Sequence, residues 1–298
     1  MPLQTETRLD IPPNRGPDPV RRLAQHLPSA VTAFDLFRAR IGLRQPALFL
    51  DFDGTLTPIV PRPDMAHLPE TARTILATLA RYCPVVVISG RDRSDVARRI
   101  GLPNLTYVGS HGFDVILPDG RGPGHGNTGA DQARLDRVSA CLRHRLAAVS
   151  GSLIERKRFT VAVHSRTVAP ECVSVVQTAV ERILEEERPH LKLTTGKMVY
   201  ELQPNIDWDK GRAVSWLVEA LGLAREDVIP VFFGDDVTDE HAFEKLHGLG
   251  VVVASAADHD RLTAADFRVE DPDEVMIVLK RLQEHVEHQG SNVSRAEC

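Results

Sequence analysis

An α/β fold, a mostly parallel sheet core carrying an inserted α+β unit, is predicted by three observations. Apolar runs at 47–50, 85–88, 105–108, 228–233 and 250–254 lack polar alternation, as expected of strands covered on both faces. Amphipathic patterns at 68–81, 94–100, 210–221 and 239–246 separate them, and such alternation builds right-handed βαβ units. From about 113 to 204 the rhythm stops, and two longer helical patterns fall among short strands instead.

Residues 1–19 carry Pro12, Pro13, Gly16, Pro17 and Pro19 among polar neighbours and read as a mobile leader. A helical pattern over 20–40, interrupted near Pro28, offers Leu23, Val31, Phe34 and Phe37 for packing, so 1–45 form a leader with an accessory helix. The parallel core is expected at 46–113 and 205–288. Pro69 suits the first turn of its helix, where a missing N–H costs little. The inserted unit, 114–204, is expected to open on a hairpin at Val115–Leu117 turning at Pro118-Asp119-Gly120. It continues with a helix at 131–149, strands at 153–157 and 159–165, a helix at 170–187, and strands at 191–194 and 198–203. Further helices are expected at 257–265 and 274–288, with a flexible tail at 289–298.

The 298 residues, 42% hydrophobic and 26% charged, have the composition of a soluble globular protein with ample core. A net charge of -5 gives no basic excess for nucleic acid. The local group Arg91, Arg93, Arg98 and Arg99 reads as a solvated helix face. Cys83, Cys141, Cys172 and Cys298 are scattered and form no CxxC, which argues against a zinc site or disulfide framework and for a reducing, cytoplasmic setting. No apolar run approaches the roughly 18 residues that a membrane helix needs.

The run Leu48-Phe49-Leu50 ends in Asp51-Phe52-Asp53-Gly54-Thr55. Two carboxylates two residues apart in extended chain point the same way. Their repulsion favours a hard divalent ion with oxygen ligands. Gly54 permits close backbone approach and Thr55 adds a hydroxyl donor. Alone, the segment reads equally as an Asp-Gly turn after a strand. Three later segments shift that balance: a strand ending in Ser89-Gly90-Arg91, the polar turn before Lys210, and a strand running into Gly234-Asp235-Asp236-Val237-Thr238-Asp239-Glu240. Each singly has an ordinary reading as a strand end, an N-cap with a solvated Lys, or an acidic helix start.

In this order the four segments make the chain similar to phosphatases of the haloacid dehalogenase superfamily, whose motifs match DFDGTLT at 51–57, Ser89, Lys210 and GDDVTD at 234–239. Within that superfamily the sequence resembles the trehalose-6-phosphate phosphatases. It shares GSHG at 109–112, the stretch from ERK at 155–157 to HSR at 164–166, GKMVYE at 196–201 with Pro204, and GDDVTDE at 234–240. Ser165 stands where that family often has Tyr. The resemblance covers about 46–282.

It implies a haloacid dehalogenase-like, Rossmannoid parallel sheet with the inserted unit as a cap. It also implies that Asp51 attacks phosphorus, that Asp53 serves as acid and then base, and that Ser89 and Lys210 hold phosphoryl oxygens. Mg²⁺ is assigned by the same resemblance to the Asp51 carboxylate, the Asp53 carbonyl and Asp235, with Asp239 as an inner or outer partner; Asp236 stays unassigned. Core residues see little beyond phosphate, so sugar choice is expected of His111, Lys197 and Glu201, the last two on one side of a predicted strand. Arg121, Lys157 and Arg166 are weaker candidates, equally readable as strand polar residues facing water. Hinges for cap closure are expected near 112–114 and 203–205. The implied substrate is a phosphorylated disaccharide, trehalose 6-phosphate. Alternatives are sucrose 6-phosphate or mannosyl-3-phosphoglycerate, a phosphomutase, and a non-catalytic subunit associated with a trehalose-phosphate synthase.

Overall fold

Apolar runs in the sequence become adjacent strands of one layer, because strands without polar alternation must be covered on both faces. The computed structural model describes residues 20–117, 119–123, 129–258 and 260–296. Along the chain run β1 (Arg22–Leu23), α1 (Phe34–Ile41), β2 (Gln45–Leu50), α2 (Glu70–Leu79), β3 (Val85–Ile88), α3 (Arg93–Ile100), β4 (Thr106–Gly109) and β5 (Asp114–Val115). There follow α4 (Gly129–Arg145), β6 (Leu153–Arg156), β7 (Val161–His164), α5 (Val173–Glu186), β8 (Leu191–Gly196) and β9 (Val199–Pro204). The chain then returns through α6 (Lys210–Ala220), β10 (Val228–Gly234), α7 (Val237–Lys245), β11 (Leu249–Val253), β12 (Leu262–Thr263), β13 (Phe267–Val269) and α8 (Pro272–Ala296).

The larger sheet has the order β13-β11-β10-β2-β3-β4-β5, parallel except for the β4–β5 pair. From β2 the chain builds outward to β5 on one side; after the excursion through β6–β9 it returns on the other, with β10 beside β2. The strand order therefore reverses between β2 and β10, the point at which open α/β sheets hold ligands beyond their carboxyl ends. Two apolar layers cover the sheet, one containing Leu48, Leu50, Val87, Val231 and Phe233, the other Phe49, Val86, Ile88, Phe232 and Val252.

The smaller sheet, β6-β7-β9-β8, is antiparallel throughout. One face carries Val161, Val163 and Leu202 against Leu135 and Leu142 of α4 and Val176, Val180 and Ile183 of α5. The helices shield that face, leaving the other for polar side chains.

Four expectations need correction. The helix expected over 20–40 begins only at Phe34: the backbone before it is engaged elsewhere, with β1 paired to β12 and Pro28 O accepting from Arg268 N. The hairpin expected to open the inserted unit at Val115–Leu117 does not form: Asp114–Val115 instead closes the edge of the larger sheet against β4. A turn does follow, with Leu117 N donating to Arg121 O, but Pro118 lies outside the described residues. In place of a helix at 257–265 there is a short 3-10 turn at Ala256–Asp258 and the strand β12, because Thr263 and Ala264 donate to the buried Glu240. Finally, α8 continues to Ala296 through most of the expected tail, with Gln289 Nε2 donating to Gly42 O. The leader at 1–19 lies outside the described residues.

Helix α1 nevertheless belongs to the core. Phe37 is completely buried and meets the Phe267 ring edge-on, 5.2 Å between centroids and 86° between planes. Phe37→Ala is expected to lower stability by about 3–5 kcal/mol through lost burial and the cavity left behind, measurable by urea unfolding.

Candidate active site

Strands β2 and β10 lie side by side in parallel register, Leu50 beside Phe233, so both release their chains at one rim. Asp51 follows β2 directly, and Asp235 follows β10. One turn into α7 sits Asp239; ligand oxygens of Asp51, Asp235 and Asp239 all lie within 4.8 Å of one another. Gly54 makes this approach possible: it takes φ +86°, and a Cβ there would strike the Asp235 carboxylate.

Three buried carboxylates this close demand a cation. Lys210, the first residue of α6 and only 2% exposed, brings Nζ to 2.7 Å from Asp51 Oδ1 and 2.5 Å from Asp239 Oδ1. Burial alone would lower its pKa; Asp239 and Asp51 outweigh burial and raise it, so it stays charged. Burial pushes the Asp51 carboxyl well up, with Asp239 and Asp235 adding to the shift and Lys210 opposing it. Asp235 is pushed up to about 7, by burial first, then by Asp239 and Asp236, against the pull of Lys197. These are the electrostatics of an anion-rich oxygen cage that a second cation would relieve. Buried Thr55 Oγ1, in the same loop as Asp51, has no hydrogen-bond partner among the described residues.

The side chain of Asp53 stands apart from that trio. Arg91 grips it in a two-pronged ion pair, both bonds 2.7 Å, while also reaching Asp95 at 3.1 Å. Arg91 is 8% exposed, so the solvated face expected of the arginine group does not extend to it. The dipeptide after Ser89 was its signal in the sequence, as the glycine and arginine follow a strand end directly. Ser89 Oγ accepts from Arg91 N at 3.1 Å, which curls this loop toward the rim.

Asp236 caps α7, its carboxylate accepting from Val237 N while Asp239 Oδ2 accepts from Asp236 N at 2.9 Å. Asp239 thus serves helix start and acid cluster together.

A second buried network sits across the cleft. Glu201 on β9 has Oε2 2.7 Å from His111 Nε2, while Oε1 accepts from Lys157 Nζ at 3.1 Å and Thr160 Oγ1 at 2.5 Å. Lys157 also donates to Gly90 O at 2.9 Å, joining the smaller sheet to the loop after β3. Ser110 and His111 both adopt positive φ, 49° and 53°, unusual for side-chain-bearing residues and characteristic of functional sites. Burial alone would raise the Glu201 carboxyl, but Lys157 and His111 hold it well below the usual carboxylate range.

Lys197 was expected on the same strand as Glu201 but lies outside it. It lies in the tight turn between β8 and β9, where Met198 takes φ 63°. From there its Nζ reaches Asp235 Oδ2 at 3.2 Å and Asp258 Oδ2 at 3.7 Å. A cavity of about 160 Å³ lies between the two groups, lined by Asp51, Asp53, His111, Lys197, Glu201 and Asp235, with Lys157 and Arg166 on its wall. Ser89, Lys210 and Asp239 back it rather than line it. Arg121 is elsewhere, exposed and paired with Asp119. Sequence reasoning missed the apolar side formed by Ile59, Val60, Pro61 and Pro63, and, although it singled out the stretch from 155 to 166, it did not foresee the Glu155–His164 contact at 2.9 Å.

The family model described as trehalose-phosphatase matches residues 49–273, which includes every group named above. The chain belongs to the trehalose-phosphatase family. A curated trehalose-phosphate phosphatase of Mycobacterium bovis is 43% identical over 265 residues, 88% of this chain and 67% of that protein. The C-terminal domain of Candida albicans trehalose-6-phosphate phosphatase superposes with a TM-score of 0.71 at 23% identity, covering 87% of this chain and 99% of that one. A trehalose-6-phosphate phosphatase of Aspergillus fumigatus gives 0.54 at 27% identity, over 83% and 96% of the two chains. The fold is the haloacid dehalogenase-like α/β arrangement, as expected. Among the described residues of this trehalose-phosphatase family member, no helix is long and apolar enough to cross a membrane.

Glu201→Gln would leave Lys157 buried without its carboxylate, and is expected to cost about 3 kcal/mol at pH 7 in urea unfolding. A depressed carboxyl stabilises the fold above its ordinary value of 4.5 and ceases to do so as acid protonates it. The difference between parent and variant should therefore shrink as pH falls below 4.5.

Proposed function

We propose that the chain is a Mg²⁺-dependent phosphomonoester hydrolase that converts trehalose 6-phosphate to trehalose and phosphate through an aspartyl-phosphate on Asp51. The observation that carries this reading is Asp51 held at 2.7 Å by buried Lys210, with Asp235 and Asp239 in reach, at the rim where the strand order reverses. Family membership and the names of the mycobacterial and fungal relatives support the substrate.

In this reading the larger sheet with its helices, from 46 through β5 and again over 205–288, is the catalytic core, the smaller layer from α4 to 204 is the cap, and a phosphoryl group enters beneath it. Bound Mg²⁺, held by Asp51, the Asp53 carbonyl, Asp235 and Asp239, would offset phosphoryl charge; the hard oxygen donors present suit it. An Asp51 carboxylate oxygen forms a bond to phosphorus as the bond to the sugar oxygen breaks. Asp53, once it has left Arg91 and taken up a proton from solvent, passes that proton to the departing oxygen. It then takes a proton from the water that attacks phosphorus, releasing phosphate and restoring Asp51. Ser89 and Lys210 hold the remaining phosphoryl oxygens, and the fixed positive charge of Lys210 costs no reorganisation as the anion develops.

His111, Lys197 and Glu201 are proposed to meet the disaccharide, since these three face the cavity from the cap and its junction. At about 160 Å³ that cavity is smaller than typical pockets for ligands of this size, roughly 300–1,000 Å³. Entry therefore requires the cap to part from the core, breaking Lys157–Gly90 and Lys197–Asp235. The crossing near 203–205 is a natural hinge, whereas the other expected hinge, 112–114, lies between β4 and β5 within the larger sheet. Trp208 Nε1, just past the crossing, donates to Gly112 O at 2.9 Å.

Three measurements test the reading. Asp51→Asn should reduce phosphate release from trehalose 6-phosphate by at least about 10⁴-fold while circular dichroism stays unchanged; retained turnover removes Asp51 as nucleophile. Chelation with EDTA should abolish activity and added Mg²⁺ restore it. Across trehalose 6-phosphate, sucrose 6-phosphate and mannosyl-3-phosphoglycerate, kcat/KM should favour the first by at least about tenfold, and equal values would reject the assigned sugar.

A further inference from the structure

Four carboxylates fall within 235–240, and three of them meet a cation from a different part of the chain: Lys210 for Asp239, Lys197 for Asp235 and Arg261 for Glu240. Arg261 does more than balance charge. One guanidinium nitrogen donates to the backbone carbonyl of Asp235; the other donates to Asp236 O at 2.8 Å and to Glu240 Oε1 at 2.6 Å. Its side chain is 15% exposed and Glu240's is 6% exposed. Glu240 is itself fixed, its other oxygen accepting from Ala264 N at 2.9 Å and Thr263 Oγ1 at 3.2 Å. Arg261, Glu240, Thr263 and Ala264 do not line the cavity; they lie behind the turn that presents Asp235.

The arginine is braced as well. Ala24 N donates to Arg261 O at 2.9 Å, and β1 pairs with β12 immediately beyond. Arg21 ties the same N-terminal segment to Glu244 of α7 at 2.5 Å. Strand β1, the 3-10 turn Ala24–His26, β12 and helix α7 thus form one braced unit around the guanidinium.

We propose that Arg261 is a positioning residue: by holding both carbonyls of the Asp235–Asp236 turn it sets the Asp235 carboxylate in advance for a divalent cation. The proposal rests on the reading of Asp235 as a metal ligand. A planar fork suits the task, since two carbonyls and a carboxylate are held at once in fixed relative orientation, which a single ammonium does not reproduce. Residues that orient metal ligands without touching the metal commonly matter nearly as much as the ligands.

The test uses the full chain and Mn²⁺ as the probe, with binding to the substrate-free protein followed by electron paramagnetic resonance, alongside Mg²⁺-activated kinetics. Arg261→Met should weaken Mn²⁺ binding by about tenfold, while KM for trehalose 6-phosphate at saturating Mg²⁺ stays within about twofold. Arg261→Lys keeps the charge and loses the fork, and should weaken binding by about threefold; it carries the test if the Met variant fails to fold. Wild-type Mn²⁺ affinity in either variant, folded by circular dichroism, overturns the positioning role. Asp235→Asn separates that failure from failure of the metal reading. If it too binds Mn²⁺ like the parent, Asp235 is not a ligand and both fall; if it alone loses Mn²⁺, only the role of Arg261 is removed.

Discussion

Buried negative charge at the junction of β2 and β10 is the constraint around which the molecule is arranged. An uncompensated carboxylate in that position would cost several kcal/mol, and three are gathered there. Lys210 makes the cluster tolerable, and it comes from the first helical residue after the chain returns from the smaller layer. Its ammonium also lies 5.6 Å from the centre of the Phe232 ring, so the contact that neutralises Asp51 is packed into the apolar layer beneath the sheet. The acid cluster and the hydrophobic core are thus parts of one structure.

The same logic, with the signs reversed, governs the smaller layer. Lys157 is a buried cation that Glu201 makes affordable, and Glu201 is in turn shared with His111 and Thr160. The two charged groups face one another across a narrow space and touch through Lys197, which leaves its own layer to pair with Asp235. Each layer thus lends the other a charge, Lys197 to Asp235 and His111 to Glu201.

Much of this could be read from the chain because local pattern and tertiary structure agree there. The run 85–88 coincides with β3, and the apolar stretches around 48 and 230 occupy the neighbouring central strands that their lack of alternation implies. Asp51, Lys210, Asp235 and Asp239 were recognisable because short motifs fix their place relative to strand ends and helix starts. What was hidden depended on distant partners. Arg91 has the composition of a solvated helix residue and becomes buried only because Asp53 lies within reach. Lys197 looks like a strand residue until Gly196 and the left-handed Met198 turn the chain beneath it. The segment at 257–265 has helical composition, but the buried Glu240 recruits Thr263 and Ala264 as donors and holds them extended. For Arg91 and for 257–265 a long-range electrostatic demand outweighed the local preference; for Lys197 a tight turn did.

The pairing of β2 with β10 joins residues as distant as Gln45 and Val228, and the whole smaller layer lies between them in sequence. During synthesis the strand bearing Asp51 therefore emerges long before its neighbour exists. Until β10 arrives, one long edge of β2 has no backbone partner and the apolar side chains above and below it lack half their cover. Closure must wait for a non-local contact whose entropic cost is met late. The layer made in between has its own core of α4, α5 and β7, so it can become ordered first and shorten the effective loop that β10 has to close.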